Sequence, residues 1–89
     1  MKWFLYIVKC RDGAFYTGIS TNVSRRVLEH NNGAGAKSLK GKLPVILVYK
    51  EAYDNQIEAA KREREIKGWR RKKKEELILK GFEELKGSP

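Results

Sequence analysis

The sequence predicts a small α+β domain (the broad α/β class), with a three-stranded antiparallel sheet flanked by about three helices in the order β-β-α-β-α-α. Two short apolar and aromatic stretches around a turn signal predict an N-terminal hairpin, and a continuous apolar run in mid-chain predicts a third strand. Helical patterns follow the hairpin and the third strand. At 89 residues the chain has room for one core. We expect a single domain over residues 1–80, followed by a frayed tail over 81–89.

The hairpin is predicted around residues 11–13, where a glycine can take the positive φ that other residues resist. A two-residue turn would place Tyr6 and Tyr16 on opposite faces of the sheet. A three-residue loop pairs Tyr6 with Gly18 and puts both phenols on one face, and we favour this register. Because Gly18 has no side chain, we expect open space opposite Tyr6 for a substrate.

A first helix is predicted to follow, capped by Thr21 or Asn22 and running to about residue 31. Arg26 and His30 are four residues apart and therefore lie one above the other beside the apolar stripe. An ordinary surface cation and a phosphate ligand both fit Arg26, and its place beside His30 favours the ligand. For His30 itself, a cation at the helix C-terminus is a serious competing interpretation.

Residues 33–44 are rich in glycine and lysine and are expected to form a mobile basic loop. Their spacing matches neither a P-loop nor a dinucleotide fingerprint. The run 45–49 is too short for an ordinary helix, and its continuous apolar character predicts a strand buried on both faces. We therefore expect helices on both sides of that strand.

A second helix is predicted over residues 55–67, with Asp54 as its cap. Its inward face carries Ile66 and also Glu63, three residues earlier. A carboxylate that faces a sheet needs a cationic partner, because burying an unpaired charge is costly. An internal salt bridge to Arg26 and a divalent metal ion satisfy that need equally well.

The stretch Trp69–Lys74 is an aromatic residue followed by five cations and is predicted to open a third helix that ends near Leu79. The cations are either a solvated face or a grip on the backbone of a nucleic acid, and the two are compatible. The predicted nucleic-acid contacts are basic residues of the glycine-rich loop, of the second helix end and of the third helix: Lys37, Lys40, Lys42, Lys67, Arg70, Arg71, Lys72, Lys73 and Lys74.

Composition points to the same class of partner. Twenty Lys and Arg against eleven Asp and Glu give a net charge of +9, which favours polyanions and nucleic acid, DNA above all. A membrane surface is disfavoured, because the cations are interleaved with glutamates. The single cysteine excludes an intramolecular disulfide and a cysteine-rich metal site. With no signal-peptide pattern and no bilayer-length apolar run, we expect a cytoplasmic monomer.

Two triplets about ten residues apart, Phe4-Leu5-Tyr6 and Tyr16-Thr17-Gly18, are followed by Arg26 and His30. Together they resemble the GIY-YIG nuclease domain, and in particular its small stand-alone bacterial members. The first triplet keeps only its tyrosine, and the second has threonine where the family has isoleucine. The resemblance extends over residues 3–79 through further segments: Asn31-Asn32-Gly33, Gly35-Ala36-Lys37, residues 44–49, and Glu63 with Ile66-Lys67.

This resemblance implies a metal-dependent endonuclease that hydrolyses a phosphodiester bond. Glu63 would hold a single Mg²⁺ or Mn²⁺, and Arg26 would neutralise developing charge. Tyr6 or Tyr16 would orient or deprotonate the water, with His30 as the proton relay. Which tyrosine is the base stays open.

Two departures from the family pattern are visible. The lysine that some branches have between the second tyrosine and the arginine is absent from residues 17–25, and there is no asparagine beyond Asn55. No helix-turn-helix or zinc module is apparent, so structure-selective DNA cleavage, as in DNA repair, is expected rather than sequence-specific cutting. A protein partner could supply specificity.

Two alternatives belong to other classes. The chain could be a basic nucleic-acid-binding module without catalysis, with strongly salt-dependent binding. It could also be an adaptor that docks onto a larger DNA repair protein and supplies basic surface.

Overall fold

The computed structural model describes residues 1–86 and contains a three-stranded sheet with three α-helices. The predicted class and element order are confirmed. In chain order the elements are β1 Trp3–Lys9, β2 Phe15–Ser20, α1 Val23–Asn31, a short 3₁₀ turn Lys37–Leu39, β3 Ile46–Tyr53, α2 Gln56–Lys67 and α3 Arg71–Lys86.

The hairpin takes the register predicted from a three-residue loop. Gly13 has a φ of 88°, and the strands pair Tyr6 with Gly18 and Val8 with Tyr16. Both tyrosines therefore lie on one face of the sheet. The expected space opposite Tyr6 is absent, because a Cβ on Gly18 would lie 2.6 Å from the Tyr6 hydroxyl oxygen. Gly18 makes room for the Tyr6 ring itself, so the expectation of a substrate opening there is wrong.

The strand buried on both faces is β1, because the sheet order is β2-β1-β3 and β1 lies in the centre. Its four middle residues are 0–1% exposed: Leu5, Tyr6, Ile7 and Val8. The expectation that the third strand would be buried on both faces is wrong. β3 lies at an edge, and Ile46 and Leu47 near its start are 60% and 40% exposed.

Two separate cores form on the two faces of the sheet. On one face, α1 and the loop before β3 cover Tyr6 and Val8, with Val23, Leu39 and Val45 buried against them. On the other face, Leu5 and Ile7 meet the buried Ile66 of α2, and partly buried residues of α3 and of the turn before it close this side: Trp69, Leu77 and Ile78. Each face thus holds its own helices in place.

Asparagines cap the first two helices. Asn22, one of the two predicted candidates, caps α1. Asn55 rather than Asp54 caps α2, since its side chain accepts the backbone N–H of Glu58 at 2.9 Å. Asp54 instead pairs with Lys2 of the N-terminal segment.

The third helix is longer than predicted. It continues past Leu79 to Lys86. Gly81 lies within it against the ring of Tyr49, where a Cβ would come within 2.9 Å of a ring carbon. Residues 81–86 of the predicted tail are therefore helical, and 87–89 lie outside the described residues. Along residues 1–86, every helix is too short or too polar to span a bilayer.

Candidate active site

A buried hydrogen bond between β1 and α1 lies at the centre of the candidate site. The Tyr6 hydroxyl is 2.8 Å from Nε2 of His30, and each residue is only 1% exposed. On the other side of the ring, the backbone N–H of Ala36 donates to Nδ1 of His30 at 3.3 Å. A neutral imidazole whose Nδ1 accepts must carry its proton on Nε2, so His30 donates to the Tyr6 oxygen.

The protonation of His30 is fixed by the same surroundings. Burial lowers the pKa of its imidazole below the ordinary value, and the positive charge of Arg26 lowers it further. A neutral, buried imidazole does not act as a cation at the C-terminus of α1, so the interpretation of His30 as a helix-terminal cation is wrong. A proton relay from Tyr6 would need Nε2 to accept, which conflicts with the Ala36 contact. The geometry instead suits His30 to positioning the phenol.

The second phenol completes an aromatic cluster. The ring centroid of Tyr16 lies 6.4 Å from that of Tyr6 and 5.3 Å from that of His30, edge-on at 71°. Burial, together with the neighbouring Tyr16, raises the pKa of Tyr6 to about 12. Tyr6 is therefore held in its protonated form at neutral pH. Tyr16 is only half-buried, so solvent reaches it more readily.

Arg26 lies at the edge of this cluster. Its guanidinium donates to Glu29 on the same helix at 3.1 Å, and its side chain is 34% exposed. It is close enough to Tyr6 to oppose the rise in the pKa of that phenol. Arg26 is thus a partly desolvated cation beside the phenols, which is a suitable position for a phosphate ligand.

Glu63 approaches the cluster from α2. Its side chain is 21% exposed, and its carboxylate pairs with the Lys67 ammonium at 3.2 Å. The same ammonium lies 6.0 Å from the centroid of the Tyr16 ring. The charge of Glu63 also contributes to raising the pKa of Tyr6. The alternative of a salt bridge from Glu63 to Arg26 is not realised, because each residue has a partner on its own helix.

A divalent ion here would have one protein carboxylate. Within residues 1–86, no three His, Cys, Asp or Glu side chains cluster as metal ligands. Mg²⁺ is commonly bound by one or two carboxylates, with substrate phosphate oxygens and waters completing its shell. Glu63 fits that mode, in which the substrate brings much of the coordination sphere.

The glycine-rich loop is anchored against His30. Gly35 touches the imidazole so closely that a Cβ would lie 1.9 Å from Nδ1, and Leu39 is buried. The Asn31 side chain accepts the backbone N–H of Val45 at 2.7 Å and donates to its carbonyl at 3.0 Å. The sequence placed Gly35 and Asn31 in segments that resemble the family, but predicted neither contact. Their contacts join segments whose meeting no local pattern reveals.

Three of the predicted nucleic-acid contacts lie near this cluster. Lys37 and Lys40 line a cavity of about 410 Å³ beside His30. Lys67 lies between Glu63 and Tyr16, inside the site itself. Cations thus approach the cluster from two sides, from the loop beside His30 and from α2 beside Tyr16.

The other predicted contacts lie further away. Lys42 is 3.9 Å from Asp12 at the hairpin turn. Arg71 lies 4.4 Å from the centroid of the Phe15 ring, and Lys73 lies 4.3 Å from that of Trp69, the first residue after α2 and Gly68. The remaining three belong to the segment that opens α3: Arg70, Lys72 and Lys74.

Lys50 is a cation that sequence reasoning did not include. It pairs with Tyr6 across β1 and β3 and therefore shares its face of the sheet, with Nζ 5.5 Å from the centroid of the Phe4 ring. Only the strand pairing discloses this position, and no spacing within the sequence indicates it.

The comparison with known families agrees with the fold. Residues 2–76 match the family model described as the GIY-YIG catalytic domain, and the chain belongs to the GIY-YIG family. It is similar to small bacterial proteins named UPF0213. One, from Staphylococcus saprophyticus, is 51% identical over 80 residues, covering 90% of this chain and 98% of the relative. Another, from Staphylococcus aureus strain Mu50, is 55% identical over 75 residues, covering 84% and 92%.

Two solution NMR structures are also similar. The UPF0213 protein of Bacillus halodurans is 44% identical with a TM-score of 0.59, over 91% of this chain and 87% of that one. A protein of E. faecalis is 36% identical with a TM-score of 0.62, over 90% and 85%. The likeness therefore extends through most of both folds.

Proposed function

We propose that this protein hydrolyses phosphodiester bonds in nucleic acid, with DNA as the favoured substrate and a single Mg²⁺ or Mn²⁺ as cofactor. The observation that carries the proposal is the meeting of two phenols, a buried neutral histidine, an arginine and a carboxylate from β1, β2, α1 and α2. Membership of a family named for its catalytic domain supports the same class of reaction.

Binding of the phosphate falls to the cations around the cluster. Arg26 is partly desolvated, so its guanidinium interacts strongly with a phosphate oxygen and with charge that develops there. Lys37 and Lys40 approach from the loop side and attract the neighbouring backbone. None of these contacts requires a particular base, which favours selection of substrate by shape.

The attacking water is oriented by Tyr16 in this proposal. Tyr16 is the half-buried phenol, whereas Tyr6 is enclosed and its oxygen accepts the hydrogen bond from His30. Tyr6 and His30 therefore act as positioning residues that fix the Tyr16 ring. A divalent metal at Glu63 would polarise the phosphate and stabilise the negative charge of the transition state.

The test is a cleavage assay on supercoiled, nicked, flap and branched DNA and on structured RNA, with and without Mg²⁺. We expect Mg²⁺-dependent cleavage that Tyr16→Phe and Glu63→Gln strongly reduce. Tyr53→Phe is the matched control, since it removes a hydroxyl on the other face of the sheet. Cleavage insensitive to both site variants would contradict the proposal. Salt-dependent binding with no cleavage of any substrate would assign the chain to the non-catalytic binding class.

A further inference from the structure

We infer that Lys67 is the counter-ion of Glu63 in the free protein and competes there with the divalent metal, so that metal and nucleic acid bind cooperatively. This inference rests on the proposed function, and it adds an order of events to it. The Lys67 ammonium stays paired with the Glu63 carboxylate until a substrate phosphate offers the ammonium another partner.

The pairing of Glu63 with Lys67 is local to one helix. Glu63 and Lys67 lie one helical turn apart on α2, so their pairing at 3.2 Å needs no other part of the chain. The ammonium also lies 6.0 Å from the Tyr16 ring centroid, beside the phenol to which we assign the water. Lys67 is therefore placed where both metal and phosphate would approach.

The Lys67 ammonium neutralises the carboxylate that the metal would use. Glu63 is the only carboxylate assigned to the metal, and the adjacent ammonium cancels its charge. Arg26 cannot take the place of Lys67 without leaving Glu29, which it contacts at 3.1 Å. A cation that approaches Glu63 must displace Lys67 or accept its repulsion, which weakens metal binding to the free protein.

Nucleic acid removes that obstacle. A substrate phosphate is an alternative partner for the Lys67 ammonium, and its oxygens can join the metal's coordination shell. Each ligand then favours the binding of the other, and by linkage the effect is the same in both directions. The free protein would bind metal weakly and the complex would bind it well.

The experiment measures Mn²⁺ binding to the full chain by the loss of the free-ion EPR signal. We compare wild type with Lys67→Met, which removes the ammonium, and with Lys67→Arg, which keeps the charge. Arg64→Met is the matched control, because it removes one charge from an exposed position on the same helix. We expect Lys67→Met to bind Mn²⁺ roughly threefold more tightly than Arg64→Met, the range for a partly exposed ion pair.

A second arm adds a short DNA duplex with phosphorothioate linkages, which resist cleavage. In its presence we expect wild-type affinity for Mn²⁺ to rise and the advantage of Lys67→Met to disappear. The inference is overturned if Lys67→Met binds no more tightly than Arg64→Met, or if DNA leaves Mn²⁺ affinity unchanged. Glu63→Gln distinguishes a failure of this inference from a failure of the proposed function. If that variant retains wild-type Mn²⁺ affinity, the assignment of the metal to Glu63 fails, whatever the Lys67 variants show.

Discussion

The sheet carries a pair of tyrosines on each face, and the two pairs have opposite surroundings. Tyr6 and Tyr16 belong to the core under α1, whereas Tyr49 and Tyr53 belong to the core under α2 and α3. Each pair has a carboxylate and an arginine nearby. The same residue types therefore build two clusters, and the difference lies in how completely their polar groups are satisfied.

The carboxylate between Tyr49 and Tyr53 is that of Glu51, and its hydrogen-bonding capacity is filled. Glu51 accepts from both phenols, at 2.6 Å from Tyr53, and two nitrogens of Arg62 donate to it at 3.0 and 3.1 Å. Burial opposes ionisation of Glu51, but these hydrogen bonds, led by Arg62, lower the pKa of its carboxyl overall. Glu51 is thus a structural anchor between β3 and α2.

Glu63 is almost equally buried but far less engaged. Its side chain is 21% exposed and that of Glu51 is 18% exposed, yet Glu63 has one ammonium where Glu51 has two phenols and a guanidinium. Burial alone therefore does not separate the two carboxylates. The number and rigidity of their partners do, and an incompletely satisfied acid is the one free to meet a metal.

The largest expected effect comes from exchanging each acid for its amide. Glu63→Gln is expected to lower kcat/KM for Mg²⁺-dependent cleavage on the order of 10²- to 10³-fold, because the charged metal ligand is lost. Glu51→Gln, assayed well below its unfolding midpoint, is expected to stay within about threefold of wild type. Equal losses in the two variants would show that cleavage follows overall folding and not the Glu63 carboxylate.

The same two substitutions are expected to affect the unfolding free energy in the reverse order. Glu51→Gln removes the charge that faces two phenols and two nitrogens of the mostly buried Arg62, whose remaining charged partner is the more exposed Glu65. The loss should cost about 2 to 3 kcal/mol of unfolding free energy. Glu63→Gln loses one ion pair with a partly exposed lysine and should cost less than about 1 kcal/mol. Urea denaturation of both variants measures the difference. A larger cost for Glu63→Gln would make Glu63 the structural acid.

These contrasts mark what could be predicted from the sequence. The hairpin register followed from loop length and Gly13, and the convergence of Arg26 and His30 followed from helical spacing. Both are local relations. The assignment of Glu63 to an inward face was also local, and so was its distance of one turn from Lys67. The roles of these residues in catalysis stay predictions until the variants are assayed.

Relations between distant segments could not be predicted in this way. The edge position of β3 depends on strand order, and hydrophobicity of the run 45–49 says nothing about which strand is central. The Glu51 to Arg62 pair depends on how α2 crosses β3, and the sequence analysis assigned no role to either residue. Gly35 lies in a segment that resembles the family, but its contact with His30 depends on how the loop folds back onto α1.

A smaller effect is expected from crowding the imidazole that only one of the two tyrosine clusters contains. Gly35→Ala puts a methyl group into the space of Nδ1 of His30, so the loop or the ring must move at a cost of about 1 to 3 kcal/mol. Gly68→Ala is the control, since a Cβ there would meet its nearest atom at 3.5 Å, an ordinary contact. Thermal denaturation of both variants measures the cost. Unchanged stability in Gly35→Ala would mean that the loop does not hold His30.

The smallest expected effect is a pH dependence that the Glu51 cluster cannot contribute in this range. The folded protein lowers the pKa of His30, so below an unfolded value near 6.5 the unfolded chain binds a proton that the folded chain refuses. Stability from this group is complete above that value and is lost as pH falls toward the folded pKa.

His30 is the chain's single histidine. Between about pH 7.5 and pH 5.5 we expect wild type to lose unfolding free energy in urea titrations, and His30→Gln to lose much less. The comparison is between two pH values within each variant, so a general destabilisation by the substitution does not obscure it. An equal loss in His30→Gln would mean that the imidazole is protonated as easily in the folded chain as in the unfolded one, and the hydrogen bond from Nε2 to Tyr6 would then no longer identify a neutral ring.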